Sequence, residues 1–280
     1  MPIGYFSAIL GLAIFMTEKE VIEVDTKTSP TQLEAESLTP EETEMIKHMM
    51  DLGVFYGSSK ARTNPKMRKY ILTNRSGFSV IDLEKTLEGI KRTSAAIEGI
   101  VINGGTILLV GISPSVKGEI EEMAKELGLP YVAERWLGGT LTNFETISKR
   151  INQLKKLKED KANGDWDKYT KKEQLDLEKE LVKLSRFFGG LEKMNKLPQM
   201  VFVADISSDE TPAKEAKSLG IPVAGIINTD ANPKLVDYGI AANERNAKSA
   251  EFILEKIKNV IAAAQAKQVV VDPKEVAKGK

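Results

Sequence analysis

The sequence contains no cysteine. Disulfides, thiolate nucleophiles and cysteine-ligated zinc are therefore excluded together. Histidine is almost as scarce: the one present, His48, lies in a charged helical context where a solvated surface position is expected. A Ser–His pair or a His-ligated metal centre has too little material to form. Phosphate-loop signatures are missing as well. No G-x-G-x-x-G follows an apolar strand, no Gly-Lys-Ser/Thr loop occurs, and Gly104-Gly105 precedes its strand, the wrong side for a phosphate cradle. Net charge is absent, since 40 Lys and Arg balance 40 Asp and Glu, so the total gives no argument for a nucleic-acid partner. The apolar start, MPIGYFSAILGLAIFM over residues 1–16, is too short to cross a bilayer comfortably and lacks a basic flank or cleavage signal. It reads either as a weak membrane or partner anchor or as an upstream extension set by start-site choice.

What is present is length and segregated charge. With 280 residues, 41% apolar and 29% charged, the chain can bury a full core beneath a densely charged surface. Residues 17–51 hold ten acids against three lysines, whereas residues 52–81 hold no acid and six cations: Lys60, Arg62, Lys66, Arg68, Lys69 and Arg75. Such separation along one chain marks a region that meets an anionic partner. Phe55, Tyr56 and Tyr70 interleave the cations, a combination suited to phosphate contacts plus stacking on unpaired bases. Two glycines and Asn64-Pro65 predict an ordered loop or short hairpin here rather than a helix.

Thr39-Pro40-Glu41-Glu42 reads as a helix start and Gly53 as its end. A strand is expected near 78–82, then a helix capped by Asp82 with Leu83, Leu87, Ile90 and Ile97 on its apolar face. An internal echo follows. ILLVGIS at 107–113 leads to a helix ending AKELGLPYV, and VFVADIS at 201–207 leads to one ending AKSLGIPVA. Strands apolar on both faces and separated by helices require a parallel sheet covered on both sides. The expectation is an α/β doubly wound sandwich of about five strands, near 78–82, 107–111, 130–133, 201–205 and 222–227, closed by a helix over 246–264.

Between these units runs ERWLGGTLTNFETISKR, residues 134–150. Arg135 and Trp136 place a planar cation beside a large ring, which reads either as a buried helix-start loop or as a docking corner for a polyanion or protein. Thr140, Thr142 and Asn143 are candidate caps for the helix that follows. Residues 144–190 then show two narrow apolar stripes, Phe144, Ile147, Ile151, Leu154 and Leu157 in the first and Leu177, Leu181, Leu184, Phe188 and Leu191 in the second, separated by Asn163-Gly164 and a Thr170/Glu173 capping box. The pattern predicts an antiparallel coiled-coil hairpin that does not fit inside the sandwich. A doubly wound fold also invites an enzyme reading. Asp205 and Asp209, with Ser207, Ser208 and Glu210, follow a strand and could hold Mg²⁺, though acids at a helix start are equally expected from the dipole.

A series of motifs runs in order along the chain: Leu52-Gly53-Val54, Gly57, Asn64-Pro65-Lys66-Met67, Ile81 to Thr86, Asn103 to Leu108, Arg135 to Asn143, Thr170 to Glu173, Gly189-Gly190-Leu191, Leu197-Pro198, Leu219 to Val223 and Val236-Asp237-Tyr238. Together they resemble the small-subunit ribosomal protein S2 family of bacterial type. The resemblance runs over about 39–262. It implies a flavodoxin-like domain with an inserted coiled coil, bound to small-subunit rRNA and to neighbouring ribosomal proteins, among them ribosomal protein S1. It carries rRNA contact onto Lys60, Arg62, Asn64, Lys66 and Lys69, and onto Arg135 and Trp136. The chain departs from the family at Phe55 and Ser58, where histidines are usual, at Thr63 for Trp, at Glu134 for a basic residue, and at Ala241 to Glu244 for a Pro-Gly-Asn-Asp turn. These changes bear on individual rRNA contacts and on any His-dependent metal site.

The sequence thus predicts a cytoplasmic, ribosome-associated structural protein with no catalytic residue, metal or cofactor. Its parts are an extension over 1–38, an α/β/α domain over 39–143 and 190–264, a hairpin over 144–189 and a tail over 265–280. The rivals are a metal-dependent nucleotide-binding enzyme and a protein-only adaptor.

Overall fold

The computed structural model describes residues 39–271, with side chains through Gln268. The expectations for 1–38 and for 272–280 lie outside the described residues. The first helix, α1 (Pro40–Asp51), begins as its sequence dictates: Thr39 accepts the Glu42 N–H, and Glu42 accepts the Thr39 N–H in return. The basic segment then forms β1 (Tyr56–Ser59), two 3-10 turns (Lys60–Arg62 and Pro65–Tyr70), β2 (Ile71–Arg75) and β3 (Phe78–Ile81). These strands make their own antiparallel sheet in the order β1-β3-β2. Ser76 and Gly77 join β2 to β3 at φ 49° and 81°, the paired positive angles of a type I′ hairpin. The strand expected at 78–82 therefore does not belong to the parallel sheet. A two-residue turn commits it to antiparallel pairing with its neighbour in sequence.

The parallel sheet contains β4 (Ile107–Val110), β5 (Tyr131–Val132), β6 (Met200–Val203), β7 (Val223–Ile227) and β8 (Tyr238–Ala241), in the order β5-β4-β6-β7-β8. Numbered along the chain within this sheet the order is 2-1-3-4-5, that of a flavodoxin-like doubly wound fold. The fifth strand is β8. Its sequence, YGIA, has one β-branched residue and a glycine, a weak local signal, and it forms because it pairs with β7 from Ala224↔Tyr238 to Ile227↔Ala241.

Alternate strand residues feed two cores. Ile107, Leu109, Phe202, Ile226 and Ile240 face α1, α2 (Leu83–Ile102), α3 (Lys117–Leu127) and α7 (Ala247–Val271). Leu108, Val110, Val201, Val203 and Ile227 face α4 (Phe144–Ala162), α5 (Lys171–Phe188), α6 (Thr211–Ser218), and the residues Met67 and Ile81. With no solvent face, β4 and β6 are buried at every position.

Two boundaries differ from expectation. The C-terminal helix α7 continues through Val271 instead of giving way to a tail after 264; Gln265 Nε2 donates to the Leu127 carbonyl at 3.0 Å, and Lys267 pairs with Glu98 at 2.6 Å. The α4–α5 pair runs antiparallel, with Trp166 buried at its turn, the predicted Thr170/Glu173 box in place, and Lys161 paired to Glu178 at 2.9 Å. Its base is part of the sandwich, because Ile147, Ile151, Leu154, Leu184 and Phe188 share a core with Val201 and Val203. The apolar stripes seal the two helices to the sheet as well as to each other.

Candidate nucleic-acid interface

Thr229, just beyond the end of β7, fixes the basic segment to the carboxyl edge of the parallel sheet. Its Oγ1 accepts the Ser58 N–H at 2.8 Å and its carbonyl accepts the Asn64 N–H at 2.8 Å. Gly57 makes this approach feasible, since a Cβ there would lie 2.6 Å from Thr229 Cγ2 and 2.7 Å from the Ser79 carbonyl. Asn64 Oδ1 accepts the Lys66 N–H at 3.0 Å and starts the second 3-10 turn, with Pro65 in its first position. At three residues per turn, burying Met67 completely leaves Lys66, Arg68 and Lys69 outside. Lys60, Arg62 and Arg75 are exposed too.

Among the described residues Lys60, Arg62, Lys66 and Arg68 form no ion pair. Lys69 Nζ sits 4.8 Å above the Tyr70 ring. The segment thus exposes six cations and contains no acid of its own to balance them. Asn64 helps to build the scaffold of this surface, its Oδ1 held by the turn.

The Arg135–Trp136 corner divides. Arg135 is exposed, but Trp136 is 5% exposed and its Nε1–H donates to Glu215 Oε1 at 3.0 Å. A ring so placed cannot stack on a base, so the contact expected of Trp136 is corrected to one of positioning. The three candidate caps are also superseded: Asn143 makes no side-chain cap, and Glu215 on α6 accepts the N–H groups of Gly139 (2.8 Å), Leu141 (3.0 Å) and Thr142 (3.3 Å). Burial opposes ionisation of Glu215, yet the Trp136 and backbone donors outweigh it and hold its carboxyl below the ordinary value. Sequence reading missed Glu215 because its donors lie far upstream and nothing local marks it. Glu134, one of the departures, joins the corner to the hairpin by pairing with Lys117 and with Arg186, at 3.0 Å for the latter. The hydrogen bonds from Lys117 and Arg186 lower its carboxyl.

The carboxyl end of β6 holds the acids considered for a metal. Asp205 accepts the Ser208 N–H at 2.9 Å and its hydroxyl at 2.6 Å, and Asp209 accepts the Thr211 N–H at 2.8 Å. Asp205 uses both of its oxygens, and Asp209 its Oδ1, to shape the turn into α6. No group of three or more His, Cys, Asp or Glu suited to a metal ion occurs among the described residues. Nearby Glu244 is fully buried with neither carboxylate oxygen hydrogen-bonded, and Arg245 Nε stands 3.7 Å from Oε1. Burial pushes Glu244 up to about 7, and the charges of Asp205 and Asp230 push the same way. A groove of about 370 Å³ opens instead at the amino edge of the sheet, lined by residues such as Ala96, Ile100, Gln199 and Tyr238, none of them charged.

A family model described as Ribosomal protein S2 matches residues 49–264. The small ribosomal subunit protein uS2 of Fusobacterium nucleatum subsp. nucleatum is 43% identical over 217 residues, covering 77% of this chain and 88% of that relative. The uS2 proteins of two Thermus thermophilus strains are 39% identical over 228 residues, covering 81% of this chain and 88% of theirs. No helix among the described residues is long and apolar enough to cross a membrane.

Proposed function

The chain belongs to the ribosomal protein S2 family, and from that premise we propose that it is a structural constituent of the small ribosomal subunit that holds rRNA on its basic face. The observation that carries the reading is the acid-free segment 52–81, folded rigidly against the carboxyl edge of the sheet with Lys60, Arg62, Lys66, Arg68, Lys69 and Arg75 outward. Phosphates are bound there by charge, and register is set by the fixed turns. Arg135 adds a further exposed cation. The family is structural, and no reaction is assigned to the site.

Neighbouring ribosomal proteins are the second partner class. The α4–α5 pair is the part we assign to them, ribosomal protein S1 included; the support is that Leu175 and Val182 on α5 are 56% and 63% exposed. Sedimentation of the native chain in a cell extract tests the whole reading. Co-migration with small subunits that is lost in high salt is expected; migration apart from them at low salt contradicts it.

A further inference from the structure

The small antiparallel sheet exposes apolar surface that the phosphate-binding reading does not use. Tyr56 is 54%, Phe78 52% and Leu72 70% exposed, while Ser79 and Ile81, on the opposite face of β3, are 0% and 1%. Residues two apart on a strand share a face, and cross-strand partners share it too. Tyr56 pairs with Val80, and Phe78 with Arg75 and Ser59. Tyr56, Phe78 and Arg75 therefore stand together on the outer face, and Leu72 bulges beside them between Ile71 and Thr73. The Tyr56 ring is braced by Phe55, centroids 4.2 Å apart, and Phe78 follows directly on the rigid Ser76-Gly77 turn.

We propose that this face is a stacking platform for two unpaired nucleotides of the RNA whose phosphates the basic turns hold. The inference rests on the rRNA-binding reading and adds the state of that RNA: single-stranded at the contact, with bases splayed onto Tyr56 and Phe78. Exposed contiguous apolar side chains mark an interaction surface. Their surroundings choose the partner. The segment that builds the face carries Lys60, Arg62, Lys66 and Arg68, all exposed, and no acid, and Arg75 stands opposite Phe78, so the partner must offer flat apolar surface and dense negative charge together. Unpaired RNA offers both, because every base has a π-face and every nucleotide a phosphate. Diagonal positions across two strands lie about 7–8 Å apart, so the two rings take neighbouring bases separately rather than as one continuous stack.

The test uses the full chain and fluorescein-labelled oligo(U), oligo(A) and an RNA duplex of equal length, read by anisotropy across salt. Tyr56→Ala and Phe78→Ala are each expected to weaken binding of the single strands about tenfold without changing the salt slope, while Tyr56→Phe retains wild-type affinity. Phe78→Leu preserves apolar area without a π-face and serves if the alanine variant fails to fold; it is expected to bind as weakly as Phe78→Ala. Equal affinity for duplex and single strand, or unchanged single-strand affinity in Tyr56→Ala and Phe78→Leu, overturns the proposal while leaving salt-dependent rRNA binding intact. Variants that keep oligonucleotide affinity but drop out of small subunits overturn it in favour of a protein neighbour. A wild-type chain that binds none of the probes overturns it as well, and the sedimentation experiment then decides separately whether the rRNA-binding reading falls with it.

Discussion

Glu215 Oε1 accepts the indole N–H of Trp136 at 3.0 Å, and the same carboxylate gathers the backbone N–H groups of Gly139, Leu141 and Thr142. One side chain of α6 thus pins the whole loop that leads into α4. The motif Arg135-Trp136-Leu137-Gly138-Gly139 is a structural lock, and Arg135 is the part of it left facing outward.

Replacing Glu215 by Ala leaves those donors without their acceptor and is expected to cost roughly 2–3 kcal/mol, read by urea unfolding at pH 7. The pH dependence has a definite sign. The folded carboxyl titrates below its ordinary value of 4.5, so its contribution is present above that value and is lost as pH falls through the folded pKa. The Glu215→Ala variant should lose stability less steeply than the wild type on acidification.

Glu244 predicts the opposite slope. Its folded carboxyl titrates near 7 against an ordinary 4.5, so the folded state holds a proton that the unfolded chain releases. Stability falls as pH rises between these values and levels off above. Glu244→Gln removes the titration, so its stability relative to the wild type should rise by about 2–3 kcal/mol between pH 5 and pH 8. Parallel denaturation profiles for the two proteins would show that Glu244 is not held neutral.

Two glycines of similar appearance should respond differently. A Cβ at Gly190 would lie 2.3 Å from the Tyr131 carbonyl and 3.0 Å from its ring, at the place where the chain returning from α5 crosses β5, whereas one at Gly138 meets nothing within 4 Å. Gly190→Ala is expected to cost about 1–3 kcal/mol or more, and Gly138→Ala to stay within about 0.5 kcal/mol. Thermal melts followed by circular dichroism separate them.

How legible these features were depended on the range of the interaction behind them. Thr39, Asp82 and Thr170 cap helices through bonds to residues two or three positions away, and their sequence signatures sufficed. The cations of the basic face were equally plain, because segregation of charge is visible along one dimension. Strand pairing was harder. Phe78–Ile81 reads as a strand, but nothing within it says that a hairpin partner rather than the parallel sheet will take it, and β8 acquires its state only from β7. Trp136 illustrates the limit: a ring next to an arginine suits stacking or burial alike, and the choice was made by a glutamate on a distant helix.

The central claim is that the turns around Asn64 and Pro65 present charge to RNA phosphates. Its most direct measurement is the salt dependence of binding to small subunits depleted of this protein, for the wild type and for a variant with Lys60, Arg62, Lys66 and Arg68 changed to Ala. Every phosphate that the variant no longer neutralises should flatten the slope of log affinity against log salt by about 0.7–0.9, and affinity at low salt should fall accordingly. A variant with the wild-type slope and affinity would contradict the account.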